Sequence, residues 1–254
     1  MKLSFRIPYS TSWGETLHID LTYSSSGSRK THYDMAMHTN DGYWWTLDTS
    51  LMEYSKKPVT EISYLYNVCD DHGNIIRPEL CLKERIYKCE PGFDYTFHDL
   101  WNDRRELMFT YNLPYAHSSI TDSNTTAIQV PLFSKTIVFR ISAPQLEEGQ
   151  SIAILGSSPS LGEWEQSRFI LMRRTNDNEW IVTLSADSFT LPIEYKYVVI
   201  DNLSHKLLAW EEGMNRKLDV NSIRTQEVLV ENGLILRIRR KNGKLKDFQS
   251  PSAS

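Results

Sequence analysis

The sequence predicts an all-β protein built as two successive antiparallel β-sandwiches. Three observations carry that expectation. Short apolar/polar alternations recur through both halves of the chain. Turn-forming clusters rich in Gly, Asn, Asp and Ser stand between them. The pattern of the first half returns in the second at a period of roughly 130 residues, a domain length rather than a solenoid repeat. No stretch sustains a helical period.

Residues 1–98 are the first sandwich. Leu3, Phe5 and Ile7 alternate with polar neighbours, as do Leu17, Ile19 and Leu21. Tyr33, Met35 and Met37 make a third run, Trp44 to Leu47 a fourth, and Ile62, Tyr64, Tyr66 and Val68 a fifth. Neighbouring strand residues face opposite ways, so each run has one face for a core.

Residues 99–130 read as a linker. They are polar, with a Ser/Thr/Asn cluster from Ser118 to Thr126. The same region holds Trp101, Phe109, Tyr111 and Tyr115, so part of it is expected to pack against a domain.

Residues 131–240 are the second sandwich. Strands are expected at Ile137–Ile141, Ile152–Leu155, Trp180–Leu184, Glu194–Ile200, Glu227–Val230 and Leu234–Ile238. Leu191–Val220 organises this half: Tyr195, Tyr197 and Val199 share one strand face and Lys196 takes the other. Asp201-Asn202 turns the chain. Trp210 then falls in a charged run that reads as an exposed loop. An indole beside a lysine and an asparagine suits a sugar, its apolar C–H face on the ring and its hydroxyls on the polar groups. Residues 241–254 are a polar tail, expected to be disordered.

Duplication is visible in detail. Phe5-Arg6-Ile7 matches Phe139-Arg140-Ile141, and EISYLYNVCDDHGNII matches PIEYKYVVIDNLSHKLL. Each opening strand is followed by a Gly-led second strand, from Gly14 and Gly149.

Composition removes several function classes. Net charge is -4, with 28 Lys and Arg against 32 Asp and Glu, so whole-chain electrostatics favour neither nucleic acid nor an acidic membrane. No apolar run approaches the roughly 20 residues of a membrane span, and MKLSFRIPYS lacks the features of a secretory signal. Three cysteines, Cys69, Cys81 and Cys89, form no C-x-x-C pair, which points to reduced thiols in a cytoplasm. The seven histidines show no ligand spacing, so no metal is expected. No nucleophile, phosphate-loop or dinucleotide motif is present, so neither catalytic residues nor a cofactor is assigned.

The second half resembles a family 20 carbohydrate-binding module, the starch-binding domain. The residues that carry the likeness are Gly156, Leu161-Gly162-Glu163-Trp164, Trp180, Glu194-Tyr195-Lys196-Tyr197, Trp210-Glu211 and Asn215-Arg216. The opening LSFRIPYSTSWGETL resembles the first of two such modules in disproportionating 4-α-glucanotransferases of the amylomaltase-like, cytosolic type. The resemblance implies two immunoglobulin-like antiparallel sandwiches that bind starch, glycogen or malto-oligosaccharides ahead of a covalently attached catalytic domain. By position it gives one glucan site to Trp164, Lys196, Trp210, Glu211 and Asn215. A second glucan surface falls to Trp180, Trp44 and Trp45.

Departures and competing readings stand beside this. Glu148 precedes Gly149 where the second family site has an aromatic, and no tyrosine stands in Arg173–Asn178. Leu65 occupies the place of Lys196, and no tryptophan follows in Ile75–Leu82. Core packing competes for Trp164, Trp180, Trp44 and Trp45, and a structural role is assigned to Trp13. Glu211-Glu212 reads as solvated charge, with Glu211 assisting the site, rather than as a glycosidase pair, since adjacent residues project apart. The basic run Arg237–Lys246 reads as a solvated tail. The expected function is glucan binding that tethers an enzyme. The alternative is a pair of docking modules without sugar affinity, and a small glucan-active enzyme is a third reading.

Overall fold

The first alternation becomes strand β1 (Lys2–Pro8), and its pleat turns Leu3, Phe5 and Ile7 inward. The computed structural model describes residues 1–25, 30–51, 57–79, 85–102, 128–129, 133–143, 146–175, 179–235, 238–240 and 245–246. The chain divides into two units, Met1–Leu132 with Gln226–Leu229 and Phe133–Thr225 with Val230–Ser254. Both are all-β, as expected.

In the first unit β1 is followed by β2 (Thr16–Ser25), β3 (Thr31–Ala36), β4 (His38–Thr39), β5 (Trp44–Ser50), β6 (Val59–Cys69), β7 (Ile75–Pro78), β8 (Arg85–Lys88), β9 (Asp94–His98) and β10 (Ile128–Gln129). One sheet runs β9-β1-β5-β4, with β9 parallel to β1. The other runs β10-β8-β6-β2-β3, with β7 on β6. Inward aromatics fill the core: Phe5 meets Tyr64 at 4.8 Å and Phe97 at 5.3 Å, and Tyr87 meets Phe97 at 4.9 Å.

The second unit has β11 (Lys135–Ser142), β12 (Gln150–Gly156), β13 (Ile170–Leu171), β14 (Arg173–Arg174), β15 (Glu179–Ser185), β16 (Ile193–Asp201), β17 (Leu207–Glu211), β18 (Arg216–Leu218), β19 (Glu227–Leu234), β20 (Ile238–Arg240) and β21 (Leu245–Lys246). The order β14-β15-β11, with β19 alongside, makes one sheet, and β13-β12-β16-β17-β20-β21, with β18 on β16, the other. Phe139, Ile141, Ile152, Ile154, Tyr195 and Tyr197 are among its buried side chains.

The duplication extends to register. Ile7 pairs with Trp45 across β1 and β5, and Ile141 pairs with Trp180 across β11 and β15. Both tryptophans share the inward phase of their isoleucine, at 3% and 5% exposure. This corrects the second glucan surface drawn from the sequence: Trp45 and Trp180 are core, and Trp44, one residue out of phase at 54%, faces water. Trp13 is fully exposed, against the structural role expected of it.

Each unit also buries a glutamate, paired with an arginine, under a Tyr-x-Tyr strand. Glu79 Oε2 accepts from Tyr66 N at 3.1 Å and from Arg85 Nη1 at 2.7 Å. Glu211 Oε1 accepts from Tyr197 N at 2.9 Å and from Arg216 Nε at 3.1 Å. A buried carboxylate is tolerable only when paired and hydrogen-bonded, and both are. In the first unit Asp99 joins the network, accepting from Tyr64 Oη at 3.0 Å and Tyr66 Oη at 2.6 Å.

Of the segment read as a linker, residues 99–102 and 128–129 are described, and both pieces pack on the first unit, as its aromatic content suggested. Arg85 Nη2 donates to Leu100 O, Asn102 N donates to Glu79 Oε1, and Trp101 lies 4.2 Å from Tyr9. Ile128–Gln129 pairs in parallel with β8. Phe109, Tyr111, Tyr115 and Cys81 lie outside the described residues. The tail also departs from expectation: Leu245–Lys246 pairs with β20, and β20 pairs with β17, so part of the basic run is strand.

Candidate functional site

Four of the five predicted residues present side chains to one cleft of about 840 Å³ on the second unit, lined by Trp164, Lys196, Trp210, Glu211, Glu212, Gly213 and Asn215. Each is delivered by a different piece of local chemistry.

Trp164 ends the 3-10 segment Pro159–Trp164. Gly162, Glu163 and Trp164 are consecutive left-handed residues, with φ of +82°, +53° and +63°. Such angles cost a non-glycine residue of order 1–3 kcal/mol, so the surrounding structure must hold them. It does: Leu161 N and Glu163 N both donate to Ser158 O, and Glu165 N donates to Gly162 O. Gly162 permits the turn because a Cβ there would lie 2.3 Å from Arg168 O. The result swings the indole out of the fold.

Trp210 lies on strand β17, not in the exposed loop expected from the sequence. Ala209 and Glu211 face inward, leaving Trp210 on the outer face, and the bulge at Val199/Ile200 places Leu207 on that same face. Both indoles rest against the cluster of Ala153, Leu155, Val198, Ile200 and Leu207, half-buried. Their centroids are 6.4 Å apart and their planes inclined at 40°.

Lys196 is an outward residue of β16. Its Nζ donates to Glu211 O at 3.2 Å and Gly213 O at 2.6 Å. Two of the three N–H groups of an ammonium are thus used on the loop, and one remains. Asn215 Nδ2 donates to Glu194 Oε2 at 2.9 Å.

Glu211 differs from its predicted role. Its side chain is 6% exposed and turned inward, with Arg216 Nε 2.9 Å from Oε2. It is not solvated charge, and its contribution to the cleft is its backbone carbonyl. Burial lowers Arg216 most, but the Glu211 carboxylate and the Tyr197 and Tyr195 phenols together raise it above its ordinary value. Burial also pushes the phenols of Tyr195 and Tyr197 upward.

The first unit lacks this arrangement. In the β6–β7 register Asn67 faces Pro78, as Val198 faces Trp210 between β16 and β17. Pro78 thus stands where Trp210 does, and Leu65 where Lys196 does. What this unit exposes instead is Trp13, Tyr43 and Trp44. The turn beneath them is tightly tied: Asp41 Oδ1 accepts from Tyr43 N at 2.9 Å and Trp44 N at 2.8 Å, and Thr11 N donates to Gly42 O. Nothing in the sequence periodicity marked Trp13, but its polar neighbours Ser12, Gly14 and Glu15 were a surface signal.

Among the described residues one group has metal-ligating composition, Asp70, Asp71 and His72, all within 4.8 Å. Asp70 Oδ1 is engaged by the backbone N–H groups of His72 and Asn74. Among the same residues, no helix is long and apolar enough to cross a membrane.

Residues 134–229 match the family described as "Starch binding domain". The chain is 27% identical over 233 residues to 4-alpha-glucanotransferase DPE2 of Oryza sativa subsp. japonica, covering 86% of this chain. It spans 24% of that relative's length. A solved family 20 module of a maltotetraose-forming amylase from Pseudomonas saccharophila STB07 is 15% identical, over 37% of this chain and 98% of that one, with a TM-score of 0.31. A glucoamylase of Hypocrea jecorina is 19% identical over 47% of this chain and 21% of that one, with a TM-score of 0.33.

Proposed function

We propose that this chain, whose residues 134–229 match a starch-binding domain, holds an α-1,4-glucan across the cleft between Trp164 and Trp210. The observation that carries the reading is the pair of inclined indoles, with Lys196 and Asn215 lining the same cleft. A coiled glucan presents successive apolar ring faces at an angle, and inclined indoles suit that curvature. Each stacked ring contributes on the order of 1–2 kcal/mol, so a single site binds in the micromolar to millimolar range.

The chain is the glucan-holding part of a 4-α-glucanotransferase, a reading supported by its likeness to the rice enzyme. Transfer of α-1,4-glucan segments between malto-oligosaccharides and glycan acceptors then belongs to an attached catalytic domain, which gains local substrate concentration through the tether. Starch, glycogen or malto-oligosaccharides are the partners, and the cytoplasm is the location.

Titration with maltoheptaose, followed by tryptophan fluorescence, tests the first claim. Saturable quenching is expected, and Trp164→Ala should weaken it at least tenfold. No saturation at millimolar sugar in the wild-type chain refutes it.

A second surface on the first unit is favoured by one observation, the exposure of Trp44 beside Tyr43, 5.6 Å between ring centroids, on a tied turn. It adds contact to granular starch. Trp44→Ala should lower granule retention while leaving maltoheptaose affinity in the Trp164 cleft unchanged. Unchanged retention removes this second reading.

A further inference from the structure

We infer that Glu194 is the positioning residue that fixes which atoms of Asn215 face the glucan, an inference that rests on the glucan reading of the cleft. Glu194 and Lys196 are successive outward residues of β16. Side chains two apart on a strand share a face. Both grip the loop between β17 and β18: Lys196 Nζ holds Gly213 O at 2.6 Å, and Glu194 Oε2 holds Asn215 Nδ2 at 2.9 Å. That loop bends at Gly213, whose φ is +99°.

A side-chain amide can turn over, exchanging its oxygen and nitrogen at little cost in shape. A carboxylate accepts but does not donate, so a carboxylate at this position binds the amide through nitrogen only. Asn215 Oδ1, on the other arm of the amide, is thereby left as an acceptor. With the remaining N–H of Lys196, the cleft offers one donor and one acceptor to sugar hydroxyls, a polarity set by Glu194.

Glu194 is itself a fixed post. Its N donates to Ser157 Oγ at 3.1 Å, and Ser157 N donates to its carbonyl at 2.8 Å. It pairs with Lys217 of β18 on the other side. Gly156 allows the close approach, since a Cβ there would lie 2.5 Å from Glu194 O. Ser157 adjoins Ser158, whose carbonyl anchors the Trp164 turn. The backbone bonds survive replacement of the side chain, so a side-chain variant isolates the amide contact.

The test is a double-mutant cycle in maltoheptaose affinity on the full chain. Glu194→Ala should weaken binding about three- to tenfold, the effect of one surface hydrogen bond. In an Asn215→Ala background the same change should do nothing further. Glu194→Gln should recover affinity only in part, since its amide can either accept from Nδ2 or donate to Oδ1 and no longer sets which arm of Asn215 faces the sugar. Wild-type affinity in Glu194→Ala, or independent multiplying losses in the double variant, overturns the inference while leaving the glucan reading intact. Failure of the wild-type chain to bind removes the glucan reading itself.

Discussion

Lys196→Leu installs in the second unit the residue that the first unit carries at the same place, Leu65. The wild-type amine makes two bonds to carbonyls, at 3.2 Å and 2.6 Å, and its third N–H is the one that the proposed function gives to sugar. Hydrogen bonds from a charged donor contribute about 1.5–3 kcal/mol, so loss of the ligand bond should weaken maltoheptaose binding roughly 10- to 150-fold. Stability should change much less. The two carbonyls flank an exposed loop and can take water, so the cost is below about 1 kcal/mol, under roughly 4–8 °C in Tm for a unit of this size. Isothermal titration with maltoheptaose, run beside thermal unfolding, separates the two. Wild-type affinity in Lys196→Leu refutes the assignment of its third N–H to sugar. A collapse of Tm with affinity would instead make the lysine a structural clamp.

Three other outcomes are expected. Gly162→Ala should disable the cleft, because its Cβ meets Arg168 O at 2.3 Å on a backbone at φ +82°; circular dichroism should show a folded chain whose maltoheptaose quenching is lost. Arg85→Ala strands the buried Glu79 and Asp99 carboxylates and should destabilise the first unit by about 3–5 kcal/mol in urea titration, while the affinity of the Trp164 cleft in unmelted protein stays unchanged. Burial pushes the Cys89 thiol up to about 12. A group raised in the folded state favours folding below its unfolded pKa, near 8.5, and loses that contribution as pH climbs towards 12. Unfolding midpoints should therefore fall over that alkaline window, and peptide mapping should find Cys89 unalkylated by iodoacetamide at pH 8 in native protein.

Strands with apolar inward residues were legible in the sequence: β1, β2, β6, β11, β12 and β16 all fall on predicted runs. Two of those that were not, β17 and β8, share a physical cause. The inward positions of β17 include Glu211, and Arg85 opens β8 as a buried cation, so an ionised residue interrupts the apolar period in each. Strand β7 is exposed along its whole length and has no apolar phase to find. The site shows the same division. Trp164, Lys196, Trp210 and Asn215 carry their chemistry in residue type and spacing. The inward turn of Glu211, the gripping of Gly213 O by Lys196 and the link from Glu194 to Asn215 depend on packing partners distant in sequence. Trp45 and Trp44 differ only by strand phase, which adjacent identical residues do not reveal.

The twin glutamate–arginine anchors have an engineering consequence. Both sandwiches keep the carboxylate that pins the second tyrosine of the Tyr-x-Tyr strand, yet only the second surrounds it with Trp164, Lys196 and Trp210. Foundation and decoration are thus separable. Grafting Lys at position 65 and Trp at position 78, with Glu79 and Arg85 left alone, is a rational starting point for building the same cleft on the first unit.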